Sequence, residues 1–500
     1  MTAHVAIIGG GISGLSALEH LTRVAPSLQV TLLEASPRLG GHIRTERSGE
    51  FLMEAGPDVL LAAKPAAVEL ARRVGLGERL HGTNPRVKGS YILSGTRLRR
   101  MPDGMTGLVP SQFGPFVTTP LISPFGKLRV GLEYFIPPRR GEVDESIEQF
   151  VVRRLGREMY ERLVEPLLSG ISAGDGAKLS MQAMFPQLRA YEREYGGLAK
   201  GMLAAKRRSA AAAAAAAAPR AAEPGAPRPL MGFVSLPGGL GELVEGVQHE
   251  VRRREPAGTR VAIRTGARVE RVERVEGTGG DTSRYVITLG NGDQITVDAV
   301  IFATPGYVSA AALRPVDEEL SGLLRGIEYA STVTISVAYP ASAVPRPLDA
   351  TGYVVPRIQQ RSVLACTWVS SKFEGRSPAG HPLFRLFLGG AGRGSFVERT
   401  DDELLAVVRH EMREVMGITV DPELMRVNRF DRAMPQYNVG HLDRVARIEA
   451  QAARNPGLAL AGAASGGVGI PDCVRSGERA ARTVLEVLAR RYPTEFGSTT

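Results

Sequence analysis

Residues 5–14 read Val-Ala-Ile-Ile-Gly-Gly-Gly-Ile-Ser-Gly, and this stretch decides the fold. An apolar strand, a G-x-G-x-x-G turn (Gly9, Gly11, Gly14) and a helical segment from Ser16 follow one another without a spacer. In that context the first glycine permits a tight turn, the second admits a pyrophosphate, and the third lets the helix pack on the sheet. Free N–H groups at the helix N-terminus favour phosphate. The stretch therefore predicts a dinucleotide-binding unit.

The segment that follows supports this interpretation. Residues 29–33 predict a second strand that ends at Glu34, twenty residues after Gly14. A carboxylate at that place accepts hydrogen bonds from the adenosine ribose. A purely structural glycine turn is the alternative, but it explains neither the strand, nor the helix, nor the terminal acid.

Three further segments suit the same ligand. Residues 36–45 contain adjacent glycines between arginines, and residues 54–58 form a tight turn. Near the other end, residues 457–462 predict a strand, residues 465–472 a glycine-rich loop, and residues 473–488 a helix. Such a loop and helix N-terminus suit the flavin ring edge that gains negative charge on reduction. We therefore expect one cofactor domain built from both ends of the chain.

Composition indicates an ordinary globular protein. The chain has 500 residues, of which 43% are hydrophobic and 23% charged, and its net charge is +10. The charge allows an acidic ligand or an anionic membrane surface, or it is simply a solvated basic surface. No zinc-finger spacing or aromatic-interleaved basic motif favours nucleic acid.

Cysteine usage and the N-terminus bear on location. Cys366 and Cys473 stand far apart in no metal-ligand pattern, which fits a reducing compartment. The first strand begins at residue 4 or 5, which leaves no room for a cleavable signal peptide, and no spanning helix is evident. We expect a cytoplasmic protein.

Two stretches have unusual composition. Residues 104–126 carry no charged side chain and are broken by prolines. They predict an apolar ligand cavity, a segment at a membrane interface, or a buried irregular core. Residues 206–230 contain a run of nine alanines, at 210–218, and a proline-rich flank, and we interpret them as a low-complexity insertion in a surface loop without chemistry.

Four motif stretches resemble those of the monoamine-oxidase-type flavoproteins, in particular the oxygen-dependent protoporphyrinogen oxidases. The N-terminal stretch is shared across the superfamily, whereas the second and third are specific to the porphyrinogen oxidases. In chain order, the four stretches are Gly9–Gly14 with Glu34 and residues 38–43; residues 169–180 with Phe185, Pro186 and Glu192; residues 434–442; and residues 467–473 with Ser476 and Gly477.

The resemblance implies an α/β fold with a Rossmann-like FAD-binding domain, a mixed-sheet substrate domain and a helical membrane-associated subdomain. The expected FAD-binding domain is discontinuous, over residues 1–85, 231–305 and 425–490. Residues 90–195 would form the helical membrane-binding and substrate-pocket region, and residues 306–424 the substrate-binding domain.

The resemblance also implies non-covalent FAD. The residues expected at the cofactor are Gly9, Gly10, Gly11, Ile12, Ser13, Gly14, Glu34, Ala35, Arg38, Gly41, His42, Gly56, Pro57, Asp58, Val59, Val269, Val468, Gly469 and Ile470. Cys473 lies beside the last loop, where the family forms no thioether, so we interpret it as a packed cysteine.

For the substrate, Arg99 matches an arginine that would hold a propionate. Phe387 matches an aromatic wall and Gly170 a backbone contact, with Leu364 and Val354 as further candidates. No catalytic acid, base or metal ligand is assigned, because the cofactor carries the electrons. The product's low solubility makes a membrane-facing exit plausible, so we expect peripheral association with the inner (cell) membrane.

The implied activity is FAD-dependent six-electron oxidation of protoporphyrinogen IX to protoporphyrin IX by O2, in haem (porphyrin) biosynthesis. Oxidation of coproporphyrinogen III to coproporphyrin III is the nearest alternative, and its four propionates call for a more basic pocket. Another oxidase or desaturase of the superfamily and a flavin-binding protein without turnover stay open. A homodimer is possible.

Overall fold

A computed structural model describes residues 3–106, 109–110, 113–139, 141, 143–216, 232–255, 260–276 and 283–493. The chain divides into two compact units. Unit 1 comprises Met1–Thr83, Leu230–Glu328 and Leu442–Thr500, and unit 2 comprises Asn84–Pro229 and Tyr329–His441.

The strands in the described part of the chain are β1 (His4–Ile8), β2 (Gln29–Leu33), β3 (Thr45–Ser48), β4 (Phe51–Glu54), β5 (Leu60–Leu61), β6 (His81–Gly82), β7 (Tyr91–Ser94), β8 (Arg97–Arg100), β9 (Met105–Thr106), β10 (Val109–Pro110), β11 (Phe233–Ser235), β12 (Arg260–Arg264), β13 (Val269–Val275), β14 (Arg284–Leu289), β15 (Gln294–Val297), β16 (Ala299–Phe302), β17 (Tyr329–Ala338), β18 (Gly352–Val354), β19 (Val363–Trp368), β20 (Leu383–Gly389), β21 (Leu424–Pro435) and β22 (Leu458–Leu460).

The α-helices are α1 (Ile12–Val24), α2 (Ala66–Arg73), α3 (Phe113–Thr118), α4 (Pro124–Gly131), α5 (Ile147–Leu155), α6 (Arg157–Met159), α7 (Glu165–Ser172), α8 (Met181–Met184), α9 (Pro186–Tyr195), α10 (Leu198–Ala216), α11 (Gly241–Arg254), α12 (Gly306–Leu313), α13 (Glu318–Arg325), α14 (Val369–Lys372), α15 (Asp401–Glu411), α16 (His441–Ala453), α17 (Ala463–Gly466) and α18 (Ile470–Arg491). Short 3₁₀ turns cover Gly77–Arg79, Leu132–Phe135, Ala341–Ala343, Arg357–Gln359 and Gly394–Glu398, and π turns cover Tyr160–Val164 and Met412–Met416.

Unit 1 is built on a parallel sheet of order β12-β2-β1-β16-β22. Its central strands are apolar and buried because helices α1, α11 and α18 pack against the sheet. The sheet takes strands from both ends of the chain, as the sequence analysis predicted. Smaller antiparallel sheets, β13-β14-β15, β5-β11-β6 and β3-β4, complete the unit.

Unit 2 contains a mixed sheet of order β21-β17-β20-β19-β18-β7-β8. Only the β18–β7 pair is parallel within this sheet. One face packs on α15 around buried side chains such as Tyr353, Leu386 and Leu404. Near β7 the other face meets a helical layer that includes Phe150 and Leu163. The expected parallel sheet and mixed sheet are therefore both confirmed.

Three boundaries differ from the expectation. Residues 306–328, which form α12 and α13, belong to unit 1 rather than to the substrate domain. Residues 425–441 belong to unit 2 rather than to the FAD-binding domain, because β21 pairs along its length with β17. Residues 90–195 and 329–424 share one unit, since β7 and β8 complete the mixed sheet.

The uncharged stretch 104–126 divides into two kinds of environment. Phe116, Leu121 and Ile122 are buried in the helical layer's core. Val117 and Phe125 are 59% and 84% exposed. The described part of this segment therefore combines buried core residues with exposed apolar side chains.

The alanine run is partly helical. Helix α10 continues from Leu198 to Ala216, so the loop expected from residue 206 was wrong over 206–216. Alanine has the highest helix propensity of all residues, and here it outweighs the absence of a packing register. The rest of the predicted insertion, 217–230, lies outside the described residues.

A search of the helices in the described ranges finds none long and apolar enough to cross a membrane.

A buried ion pair fixes the helical layer of unit 2. The Arg154 side chain is 0% exposed and its Nε donates to Glu133 Oε1 at 2.9 Å. Arg154 also donates to the carbonyl of Ile136, and Glu133 accepts from the Leu198 N–H at 2.7 Å. The pair thus ties three helical segments together.

We predict that Arg154→Met lowers the free energy of unfolding of unit 2 by about 3–5 kcal/mol, because it leaves Glu133 buried without its cation. Arg157→Met is the matched control: this side chain is 62% exposed, so its loss costs under about 1 kcal/mol. Denaturant unfolding followed by fluorescence of Trp368, which is buried in unit 2, measures both. Equal effects of the two substitutions would contradict the prediction.

Candidate functional site

The glycine turn after β1 is shaped for close backbone approach. Gly9 has φ +107°, and a Cβ there would lie 2.8 Å from the Ala303 carbonyl oxygen. A Cβ on Gly14 would lie 1.9 Å from the Gly9 carbonyl oxygen, so helix α1 packs directly on the turn. A Cβ on Gly11 would meet no atom within 4 Å. The N-terminus of α1, which begins at Ile12 beside Ser13, is therefore accessible to an anionic group.

Glu34 follows β2, and its carboxylate accepts hydrogen bonds from two backbone N–H groups. The Gly10 N–H donates to Glu34 Oε2 at 2.7 Å, and the Ser36 N–H donates to Oε1 at 2.8 Å. Each carboxylate oxygen has more than one acceptor position. Glu34 can therefore fix the glycine turn and still accept from a ribose hydroxyl.

The second glycine loop lies against the first. The Gly40 N–H donates to the Gly10 carbonyl at 2.8 Å, and Gly41, with φ +56°, lies close to Gly11. Arg38 donates to the Gly41 carbonyl at 2.6 Å, so its guanidinium bonds to its own loop. The two loops together form one backbone surface, which we call the glycine surface.

The other expected cofactor residues of the N-terminal segment lie around this surface. A Cβ on Gly56 would lie 2.0 Å from the His42 carbonyl oxygen, which brings the turn of Pro57, Asp58 and Val59 beside that loop. The Ala267 N–H donates to the Glu34 carbonyl at 2.8 Å, which places the start of β13, at Val269, near the end of β2. Ala35 is exposed next to Glu34.

The C-terminal loop reaches the same part of unit 1. Helix α18 begins at Ile470, directly after Val468 and Gly469, and crosses α1 so closely that a Cβ on Gly477 would lie 2.1 Å from the Ser13 carbonyl oxygen. Asp472 in its first turn pairs with Lys64 at 2.6 Å. Burial raises the pKa of the Cys473 thiol to about 11, which suits a packing role.

In unit 2, the strand register aligns the expected substrate residues. Directly paired residues share a face of a sheet. One row crosses all seven strands in the order Arg99, Ile92, Val354, Ala365, Phe387, Thr334 and Asn428. Arg99, Val354 and Phe387 therefore lie on one face of the sheet, opposite the α15 core. We call these seven residues the cross-sheet row.

Arg99 differs from its neighbour on β8. Arg100 pairs with Asp349 at 2.7 Å. The Arg99 side chain has no hydrogen-bond or ion-pair partner among the residues that the structure describes. Its guanidinium is therefore available for an anionic ligand.

Gly170 lies next to the cross-sheet row, whereas Leu364 lies outside it. A Cβ on Gly170 would lie 3.6 Å from a Val354 methyl, so α7 approaches the cross-sheet row. Leu364 lies at a register shift between Val363 and Ala365 and is outside the row. It is buried near Gly390.

The second and third motif stretches of the sequence, residues 169–180 and 434–442, bond to each other. The Ser180 N–H donates to the Tyr437 carbonyl at 2.7 Å, and the Val439 N–H donates to the Lys178 carbonyl at 2.9 Å. The Gln436 amide donates to the Ser172 carbonyl at 3.3 Å. These motifs therefore position the end of α7, and none of these bonds is catalytic.

Sequence reasoning missed the polar end of the cross-sheet row. Residues 332–337 alternate Thr-Val-Thr-Ile-Ser-Val, a pattern that indicates one polar face. The partners across that face, Arg385 and Asn428, are set by strand pairing alone. No group of His, Cys, Asp and Glu within the described ranges could hold a metal ion.

The glycine surface has the features that a flavin dinucleotide requires. Gly11 leaves room for a pyrophosphate, and Glu34 has acceptor positions left. The N-termini of helices α1 and α18 both lie in unit 1. These residues fit FAD.

Comparison with known proteins gives three consistent matches. Residues 12–485 match the family model described as flavin containing amine oxidoreductase. Coproporphyrinogen III oxidase of Bacillus subtilis (strain 168) is 34% identical over 97% of this chain and 98% of its own. The chloroplastic protoporphyrinogen oxidase 1 of Arabidopsis thaliana is 30% identical over 97% of this chain and 88% of its own.

A solved structure is also similar to this chain. A protein of Exiguobacterium sp. 255-15 to which protoporphyrinogen oxidase activity is ascribed superposes with a TM-score of 0.80 at 31% identity, over 97% of this chain and 99% of its own. The chain belongs to the flavin containing amine oxidoreductase family, and its cofactor is FAD.

Proposed function

We propose that the protein oxidises coproporphyrinogen III to coproporphyrin III, with FAD as cofactor and O2 as acceptor, in haem (porphyrin) biosynthesis. The observation that carries this proposal is the 34% identity to the Bacillus subtilis coproporphyrinogen III oxidase over nearly the full length of both chains. The plant protoporphyrinogen oxidase matches at 30%. The proposed substrate is therefore coproporphyrinogen III, which the sequence indicated as the nearest alternative, and not protoporphyrinogen IX.

The chemistry divides between cofactor and chain. Conversion of a porphyrinogen to a porphyrin releases six electrons and six protons, and three O2 molecules accept them as three H2O2. FAD, when bound on the glycine surface, supplies the redox chemistry. The chain binds and orients: Arg99 holds a carboxylate, and Val354, Ala365 and Phe387 offer an apolar surface to the ring. No side chain is assigned as a catalytic acid or base.

We predict that the purified, FAD-loaded protein forms fluorescent porphyrin from coproporphyrinogen III under air, with H2O2 as co-product. We expect its kcat/KM to exceed that for protoporphyrinogen IX by at least about tenfold, because a site that hydrogen-bonds polar groups rejects a substrate that lacks them. A larger kcat/KM for protoporphyrinogen IX would restore the sequence-based expectation.

The control for this assay is Gly11→Ala, which adds a methyl group where the pyrophosphate would lie. It should lower FAD content and activity together. Gly322→Ala is the matched substitution, because a Cβ there also meets no atom within 4 Å but lies in helix α13. Gly322→Ala should retain FAD and activity.

We predict that Arg99→Ala raises KM by about tenfold to a hundredfold, since it removes a charge-assisted bond to a propionate. FAD content should not change. Arg100→Ala is the control, because Arg100 lies on the opposite face of β8 and pairs with Asp349. Unchanged KM and kcat in the Arg99 variant would reject its substrate role.

We also propose peripheral contact with a membrane surface through an apolar patch on α4 and the 3₁₀ turn after it. Phe125, Leu128, Leu132 and Phe135 are 84%, 64%, 47% and 77% exposed. Their spacing of three, four and three residues puts them on one helical face. Large apolar side chains exposed together mark interaction surfaces on soluble proteins, and the net charge of +10 favours anionic lipid.

We predict that a Phe125→Ser, Phe135→Ser double variant co-sediments several-fold less with phosphatidylglycerol vesicles than the wild type does. Phosphatidylcholine vesicles should bind both weakly. Equal binding by both proteins would contradict the membrane proposal. A change from dimer to monomer in light scattering, without vesicle binding by either protein, would instead assign the patch to a homodimer.

A further inference from the structure

Arg357 lies where three segments of unit 2 meet. Its backbone N–H donates to Glu165 Oε2 at 2.9 Å, and its Nε lies 3.1 Å from Glu165 Oε1. Its Nη2 donates to the Gly174 carbonyl at 3.0 Å and to the Ala391 carbonyl at 3.4 Å. Glu165 begins helix α7, Gly174 follows the end of α7, and Ala391 follows strand β20. One arginine therefore bonds to both ends of α7.

At the first end of α7, Arg357 compensates a buried charge. Glu165 is 6% exposed, and its carboxylate also accepts from the Ser169 hydroxyl at 2.8 Å. A buried carboxylate requires hydrogen bonds and a cation. Arg357 supplies both, through its backbone N–H and its guanidinium. The pair therefore fixes the start of α7 to the segment that follows β18.

At the other end, Arg357 supports a strained turn. Ala173 has φ +50°, which is in the left-handed region. A residue other than glycine stays there only where the surrounding structure holds it. The Ala391 N–H donates to the Ala173 carbonyl at 2.7 Å, and Arg357 bonds to the carbonyls of Gly174 and Ala391. Arg357 thus joins the end of α7 to the loop after β20.

These contacts lie beside the cross-sheet row. Val354 belongs to the row and precedes Arg357 by three residues. A Cβ on Gly170 would lie 3.6 Å from a Val354 methyl. Gly170 and Val354 are both expected at the substrate, and their separation depends on where α7 rests. Arg357 fixes α7 on both sides of Gly170.

We propose that Arg357 is a positioning residue for the porphyrinogen, because it holds Gly170 and Val354 at the separation that the ring requires. The proposal rests on the proposed function. Arg357 acts through α7 and takes no part in the redox chemistry, which FAD supplies. Its loss therefore weakens substrate binding and leaves the turnover of bound substrate nearly unchanged.

Steady-state kinetics with coproporphyrinogen III test this role in FAD-loaded wild type, Arg357→Met and Arg357→Lys. We expect Arg357→Met to raise KM by about tenfold while kcat changes by less than about threefold, since α7 loses an ion pair and two hydrogen bonds. Arg357→Lys keeps a cation beside Glu165 and should return KM to within about threefold of wild type. FAD content should not change. A wild-type KM in a folded Arg357→Met protein would overturn the proposal.

Arg361→Met is the matched control. Arg361 lies four residues further along the same segment and pairs at 3.2 Å with Glu411 of helix α15, which is also buried. Its loss also breaks a buried ion pair, so thermal unfolding should show similar destabilisation of both variants. Because α15 packs on the other face of the sheet, KM should stay within about twofold of wild type. An equal rise of KM in both variants would contradict a specific role of Arg357.

Glu165→Gln changes the pair from the other side, and it decides the matter if Arg357→Met does not fold. Glutamine has nearly the size of glutamate and still accepts from the Ser169 hydroxyl and the Arg357 N–H, but it carries no charge. We expect KM to rise by about threefold to tenfold with little change in kcat. An unchanged KM would count against the pair.

Hydrogen exchange of residues 165–175, followed by mass spectrometry, separates failure of this proposal from failure of the proposed function, because it needs no substrate. These amides should exchange at least about tenfold faster in Arg357→Met than in wild type or Arg361→Met. A wild type that oxidises neither porphyrinogen would remove the proposed function. Unchanged exchange in Arg357→Met would refute the positioning of α7 by Arg357, even in an active enzyme.

Discussion

The close crossing of helices α1 and α18 is the contact on which unit 1 depends. Gly477 brings the backbone of α18 against the Ser13 carbonyl, and any Cβ there would collide with it. The contact joins a helix from the beginning of the chain to one from its end. It brings the loop that contains Gly469 to the unit that holds the glycine turn at Gly9–Gly14. A cofactor surface made of two distant segments requires this approach.

Unit 2 depends on register in the same way. The cross-sheet row exists because the seven strands are paired at these seven residues. The shift in the β17–β21 pair lies between Ala330 and Thr332, and the shift in the β19–β20 pair ends at Ala365, which is in the row. A one-residue slip in β20 would turn Phe387 to the α15 core and Leu386 to the row. The bonds between residues 178–180 and 437–439 hold α7, and with it Gly170, next to Val354. The register of the strands therefore determines which side chains of unit 2 lie together on this face of the sheet.

The sequence predicted the features that local chemistry determines. The turn at Gly9–Gly14, the acid at Glu34 and the start of α18 carry their signals within a few residues, so their identification required no knowledge of the fold. The placement of β21 could not be predicted, since its partner β17 lies about ninety residues earlier. Asn428 was missed for the same reason. The alanine run was misassigned because two local tendencies, helix propensity and low complexity, point in opposite directions.

The order of segments in unit 1 has a consequence for synthesis. Strand β22 and helix α18, which complete its sheet and cover it, follow every strand of unit 2 along the chain. Unit 2 ends at His441, so all its strands emerge from the ribosome before those elements do. Unit 2 is therefore synthesised completely before β22 and α18 are available to pack against the apolar strands and helices of unit 1. This order departs from the usual progress of folding from the amino end, because unit 1 completes its sheet only after unit 2 has been made.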